Sequence, residues 1–123
     1  MEYAYRRIGS RSFEDTLDAV ERVVRDHGFE VLCRHDITAA LVAKGFPIRP
    51  LVIFEIAPQK HDSEDPLSLL LPCRVNVYEE DAGVVVAALR PTLWSAVFPE
   101  HELDGIAEEF EKTVTEMVDA AVS

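Results

Sequence analysis

The stretch LLLPCRVNVYEEDAGVVVAAL (residues 69–89) decides the fold. Val75 and Val77 alternate with Arg74, Asn76 and Tyr78, the period-two pattern of a strand with one apolar and one polar face. Glu80-Asp81-Ala82-Gly83 interrupts that pattern, and Gly83 is free to take positive φ. The apolar run of residues 84–89 follows at once. This order predicts an antiparallel hairpin with a tight turn. Pro72 and Cys73 stand at its start.

Upstream, LVIFEI (51–56) is a nearly continuous apolar run, the mark of a strand buried on both faces or nearly so. APQKHDSEDP (57–66) is polar and bounded by prolines, so it reads as a loop and as the best candidate for a mobile flap. FEVLCRH (29–35) reads as a strand. Asp36 can cap a short helix over 37–44 that Gly45 ends, although Ile, Thr and Val there would also suit a strand. Phe13, Leu17, Val20 and Val24 recur at helical spacing over 13–27. Ser12 is the N-cap, with Asp15 three residues on, and Gly28 takes the C′ position. EYAYRRI (2–8) is a first strand with Tyr3 and Tyr5 on one face and Ala4 and Ile8 on the other. Downstream, a last helix over about 101–121 carries the stripe Leu103, Ile106, Phe110, Val114, Met117 and Ala121. The order β-α-β-(α)-β-β-β-α points to one α+β domain over residues 1–123. It would be a two-layer sandwich, a mostly antiparallel curved sheet covered on one face by helices, with short extra helices. The second face is then covered by something else, or lies open as a groove or dimer surface.

A chain of 123 residues buries roughly two-thirds of the surface its unfolded form exposes. It needs no disulfide, structural metal or cofactor to fold, and none is expected. Its net charge of −11 repels phosphate backbones and anionic lipid, so neither nucleic acid nor a membrane is an expected partner. Much of the acid lies on residues 100–119. MEYAYRRIGS lacks the apolar core of a signal peptide, and no apolar run reaches 18 residues. The expectation is a cytoplasmic protein whose two cysteines are reduced.

Two residues are candidates for catalysis. Cys73 would need a base, a cation or a helix N-terminus to favour its thiolate. The plainer account is a small apolar residue at a strand start. Glu55 interrupts a buried strand, and burial would raise its pKa toward general acid–base use. The plainer account there is an outward-facing carboxylate, or one paired with Arg34 or Arg74. Tyr78, Phe54, His35 and Asn76 are candidates for ligand contact, and Tyr3, Tyr5 and Trp94 extend an aromatic set suited either to a pocket or to plain core. Cys33, His35, His61 and Cys73 are ligand types that suit zinc, but their spacing matches no compact zinc motif, and no metal site is expected. The loop run from His61 to Asp65 reads as solvated acid rather than a cation site. Glu108, Glu109, Glu111 and Glu116 read as the solvated face of the last helix. There is no GxSxG, P-loop or GxGxxG pattern.

GFEVLCRHDITAALVAKG, then LVIFEI, then DP followed by LLLPCRVNVYEED, resembles a prokaryotic family known only as a domain of unknown function, number 302 in its series. The resemblance runs from about residue 12 to 121, and LLLPCRVNVYEED (69–81) is its most specific part. It implies a TBP-like β-α-β4-α sandwich, often a homodimer. It does not carry over DNA binding. Members of that family often have Cys-Asn-Pro where this chain has Ile56-Ala57-Pro58, and a longer helical segment before the Asp-Pro. The leading expectation is therefore a homodimeric domain that binds a small apolar or anionic-poor molecule or a protein. The alternative is a thiol-dependent enzyme or redox sensor using Cys73. A third is a structural partner docking by its acidic helix.

Overall fold

A computed structural model of the chain describes residues 2–60, 71–97 and 104–123. Five strands form one antiparallel sheet in the order β1-β5-β4-β3-β2: β1 (Ala4–Gly9), β2 (Phe29–Asp36), β3 (Leu51–Pro58), β4 (Cys73–Glu80) and β5 (Gly83–Leu89). Helices α1 (Phe13–Asp26) and α4 (Asp104–Val122) pack on one face of it, and the described residues also hold two six-residue helices, α2 (Ile37–Val42) and α3 (Thr92–Val97). The fold is the expected two-layer α+β sandwich.

Local signals act as their chemistry requires. The Ser12 hydroxyl accepts from the Asp15 N–H at the start of α1, and Gly28 ends that helix at φ +79. The Asp36 carboxylate accepts from the Ala39 N–H and starts α2. The β4–β5 hairpin closes as the sequence predicts, with Glu80 opposite Gly83. A Cβ on Gly83, at φ +150, would stand 2.5 Å from the Gly9 carbonyl oxygen, so the turn requires glycine there. The sequence did not foretell α3. The β3 strand also extends through Ala57 and Pro58, which the sequence assigned to the loop. The remainder of the proposed flap, including His61, lies largely outside the described residues, as does Leu103.

Alternation along the strands builds the core. Val52, Phe54 and Ile56 of β3, Cys73, Val75 and Val77 of β4, and Val84, Val86 and Ala88 of β5 are buried against Leu17, Val20 and Val24 of α1 and Phe110, Val114 and Met117 of α4. The rings of Phe29 and Phe110 meet at 5.3 Å between β2 and α4. Strand β3 is not equally buried on both sides: Leu51, Ile53 and Glu55 on its second face are half-buried.

The β2 edge carries one irregularity that decides the site. Phe29 pairs with Pro58 and Val31 with Ile56, but Cys33 pairs with Glu55, so Leu32 is an extra residue on β2. This bulge reverses the strand's parity. Before it, odd-numbered residues face the helices. After it, Arg34 faces them, with its guanidinium 5.6 Å over the Phe54 ring and 3.3 Å from Glu21 of α1. Cys33 and His35 turn to the opposite face.

Candidate functional site

The face of the sheet away from α1 and α4 divides into two halves. The β1–β5 half is apolar. Ile8 pairs with Val85, Arg6 with Ala87 and Ala4 with Leu89. Val85 is fully buried yet lies outside the core cluster, while Ile8 and Leu89 are 46% and 38% exposed. Arg6, opposite Ala87, interrupts this half between the Ile8–Val85 and Ala4–Leu89 pairs. It donates to Glu80 at 2.6 Å, and the Tyr78 hydroxyl and the Glu80 carboxylate beside it push its pKa up.

The β2–β3–β4 half is polar. Across its strands run His35, Ile53 and Asn76 in one row, and Cys33, Glu55 and Arg74 in the next. Glu55 Oε1 lies 2.8 Å from His35 Nε2, and Cys33 Sγ lies 3.9 Å from His35 Nδ1. One tautomer serves both contacts: Nε2–H donates to Glu55, and the bare Nδ1 accepts the thiol proton. A nucleophile, a base and a group that orients the base thus stand in line. Cys33 is exposed, and the side chains of His35 and Glu55 are 43% and 26% exposed.

Cys73 sits on the other face. It is buried, its cross-strand partner is Ile56, and its Sγ contacts the Arg74 carbonyl at 3.9 Å. Burial pushes its thiol pKa up to about 11. Because Glu55 pairs with Arg74, one residue out of phase with Cys73, the sheet separates the two candidate catalytic residues. Glu55 meets neither Cys73 nor Arg34, and its partner is His35. The ligand set is divided in the same way. His35, Asn76 and Tyr78 share the uncovered face, but Phe54 is fully buried under the helices. Tyr3 is exposed, Tyr5 lies on the helix face beside Asp119, and Trp94 lies elsewhere again. A metal set from Cys33, His35 and Cys73 is also split by the sheet, and among the described residues no three His, Cys, Asp or Glu side chains are arranged to hold a metal ion. None of the described helices is long and apolar enough to cross a membrane.

A cavity of about 320 Å³ opens at the start of β4 and the end of β5, lined by Cys73, Arg74, Leu89, Pro91, Trp94 and Phe110 with Leu71 and Pro72. The Leu71–Pro72 peptide in its wall is cis. Near it lies an ion pair that the sequence did not reveal. Glu111 of α4 accepts from the Thr92 hydroxyl at 2.6 Å, from the Thr92 N–H at 3.2 Å and from Arg90 at 3.2 Å. Burial pushes this carboxyl up, but the bonds from Thr92 and Arg90 outweigh it and hold the pKa below the usual carboxylate range. Glu111 is therefore not part of a solvated acidic face. Only the contact partners, some twenty residues away, distinguish it from Glu108 and Glu109.

The model of the family "Domain of unknown function DUF302" matches residues 6–121. The chain belongs to this family. Among solved structures it is similar to the crystal structure of an uncharacterized conserved DUF302 protein from Bacillus stearothermophilus, at 24% identity over 98% of this chain and 99% of that one, with a TM-score of 0.88. That likeness concerns the fold. No curated protein matches. The family name carries no specific function, and the geometry has to supply the reading. In this DUF302 chain Ile56, not the cysteine of a Cys-Asn-Pro segment, stands directly across from Cys73. The chain thus sets a buried aliphatic side chain where the resemblance implies a second thiol, and both of its cysteines are free.

Proposed function

We propose that this DUF302 chain is a binding domain that acts as a homodimer through the apolar half of its uncovered face, and that a small apolar molecule enters the cavity beside Trp94. The observation that carries this reading is the exposure of two large apolar side chains on this face, Ile8 of β1 at 46% and Leu89 of β5 at 38%, on either side of the Arg6–Ala87 pair. Charge favours a second copy as the occupant. The acid is concentrated on the helical layer, with Glu14, Asp15, Asp18, Glu21 and Asp26 on α1 and Glu108, Glu109, Glu116 and Asp119 on α4. The uncovered face carries Arg6 and Arg74 against Glu30, Glu55 and Glu80, so it is the surface least opposed to self-association. The mostly apolar wall of the cavity suits a ligand of low charge.

Native mass spectrometry with sedimentation velocity tests both parts. The reading predicts a dimer, converted to a monomer with an unchanged circular dichroism spectrum by the pair Ile8→Glu and Leu89→Glu. It predicts a copurifying small mass, or one taken up from a panel of apolar metabolites, that Trp94→Ala loses. An empty monomer at micromolar concentration would contradict it.

A further inference from the structure

We propose that Cys33 is a reactive thiol that exchanges with small disulfides, with His35 as its proton acceptor and Glu55 as the group that holds His35 in place. The inference stands on the bulge at Leu32 and on two contacts. The bulge turns Cys33 and His35 out of the core and onto the uncovered face together. Two residues apart on a strand, they present their side chains side by side. The Glu55 contact at 2.8 Å fixes the imidazole with Nδ1 toward the sulfur at 3.9 Å. A carboxylate in the middle of an otherwise apolar strand has little packing use. Its place beside an imidazole that faces a thiol gives it one.

The arrangement selects the chemistry. Acyl transfer would require donors placed for a developing oxyanion in addition to the nucleophile and base. Thiol–disulfide exchange requires only a thiolate, a proton acceptor and a free line of approach, and Cys33 is exposed. Its sulfur gives its proton to His35 Nδ1, and the thiolate attacks one sulfur of a disulfide R–S–S–R. The R–S bond to the second sulfur is untouched, the S–S bond breaks, and the leaving thiolate takes the proton from His35. The products are the mixed disulfide Cys33–S–S–R and one R–S–H. Cys73 faces the opposite side of the sheet and cannot resolve this mixed disulfide without the strand turning over. The product therefore persists until an external thiol reverses it, and the disulfide must be a small one that reaches a strand surface.

The full-length protein, reduced and freed of reductant, is exposed to oxidised glutathione and separately to hydroxyethyl disulfide, and modification is followed by intact and peptide mass. One adduct per chain is expected, on Cys33, and none in Cys33→Ser. At pH 7, His35→Gln is expected to slow the reaction at least about tenfold, since a positioned base contributes roughly 10²–10⁴. Glu55→Gln is expected to slow it less. Near pH 10, above the ordinary thiol range of about 8.5, ionisation needs no base and the three proteins should converge. A merely structural role for His35 would not produce that convergence. The inference does not depend on dimerisation, and the Ile8→Glu, Leu89→Glu protein should react as well as the parent. Adducts on Cys73 alone, no adduct in the native protein, or equal rates for parent and His35→Gln at pH 7 would each overturn it.

Discussion

The two cysteines of this chain lie on opposite faces of one sheet, and they differ as those faces differ. Cys73 belongs to the most recognisable motif in the sequence, yet it is buried in the wall of the cavity with its thiol pKa pushed up to about 11. Cys33 lies on the edge strand β2, outside that motif, yet it is exposed and adjoins an imidazole that a carboxylate holds. A motif cysteine can be packing, and a working thiol can sit where only the register reveals it. What separates them is strand parity: Cys73 shares the phase of Val75 and Val77, and the bulge at Leu32 shifts Cys33 out of the phase of Val31.

The sharpest test of this two-faced sheet compares neighbours on β3. Phe54→Ala removes a fully buried ring and should cost about 3–5 kcal/mol in urea unfolding. Ile53→Ala, next in the chain but on the uncovered face, should cost only about 1 kcal/mol, because a half-buried side chain loses less transfer energy and leaves no closed cavity. Equal losses would mean that the second face is as well covered as the first.

The cysteines should repeat the contrast at smaller scale. Cys73→Ser places a hydroxyl in an apolar site and should cost about 1–3 kcal/mol, whereas Cys33→Ser should stay within about 0.5 kcal/mol. Cys73 also links stability to pH. Its folded pKa is raised, so the folded chain keeps a proton that the unfolded chain gives up above the ordinary thiol range. That stability is present below about pH 8.5 and is lost as pH rises toward the folded value of about 11. Cys73→Ala should remove this part of the alkaline slope.

On the helix side, Glu111→Gln should cost about 1–2 kcal/mol near neutrality, because it replaces a largely buried carboxylate that accepts three hydrogen bonds. Here the folded pKa is lowered. The contribution is present above the ordinary carboxylate value of about 4.3 and is lost as pH falls through the lower folded one, so the variant should unfold with a shallower acid limb. The smallest effect belongs to His35→Gln. It breaks only a half-exposed pair and should change the unfolding midpoint by no more than about 0.5 kcal/mol equivalent. A much larger loss would make the pair structural.

Most of the fold was legible in the sequence because its signals are local. Ser12, Gly28 and Asp36 each act within four residues of themselves, and the alternation of Val75 and Val77 states which face is buried. The site was only half legible. That Cys33 and His35 share a face follows from spacing. Which face they share does not, because one extra residue in Val31-Leu32-Cys33 reverses the answer and no turn residue marks it. The partner of Glu55 was missed for the same reason, since it depends on the β2–β3 register. The short helix α3 gave too few turns for a periodicity, and the Glu111–Arg90–Thr92 cluster depends on how α4 returns to the end of β5.

The most direct test of the account is the rate of iodoacetamide alkylation at each cysteine, read by peptide mass spectrometry in native and in urea-unfolded protein. The account predicts rapid labelling of Cys33 in the native protein, slowed by His35→Gln at pH 7, and labelling of Cys73 only after unfolding. Native labelling of Cys73 at a rate equal to or above that of Cys33 would contradict it.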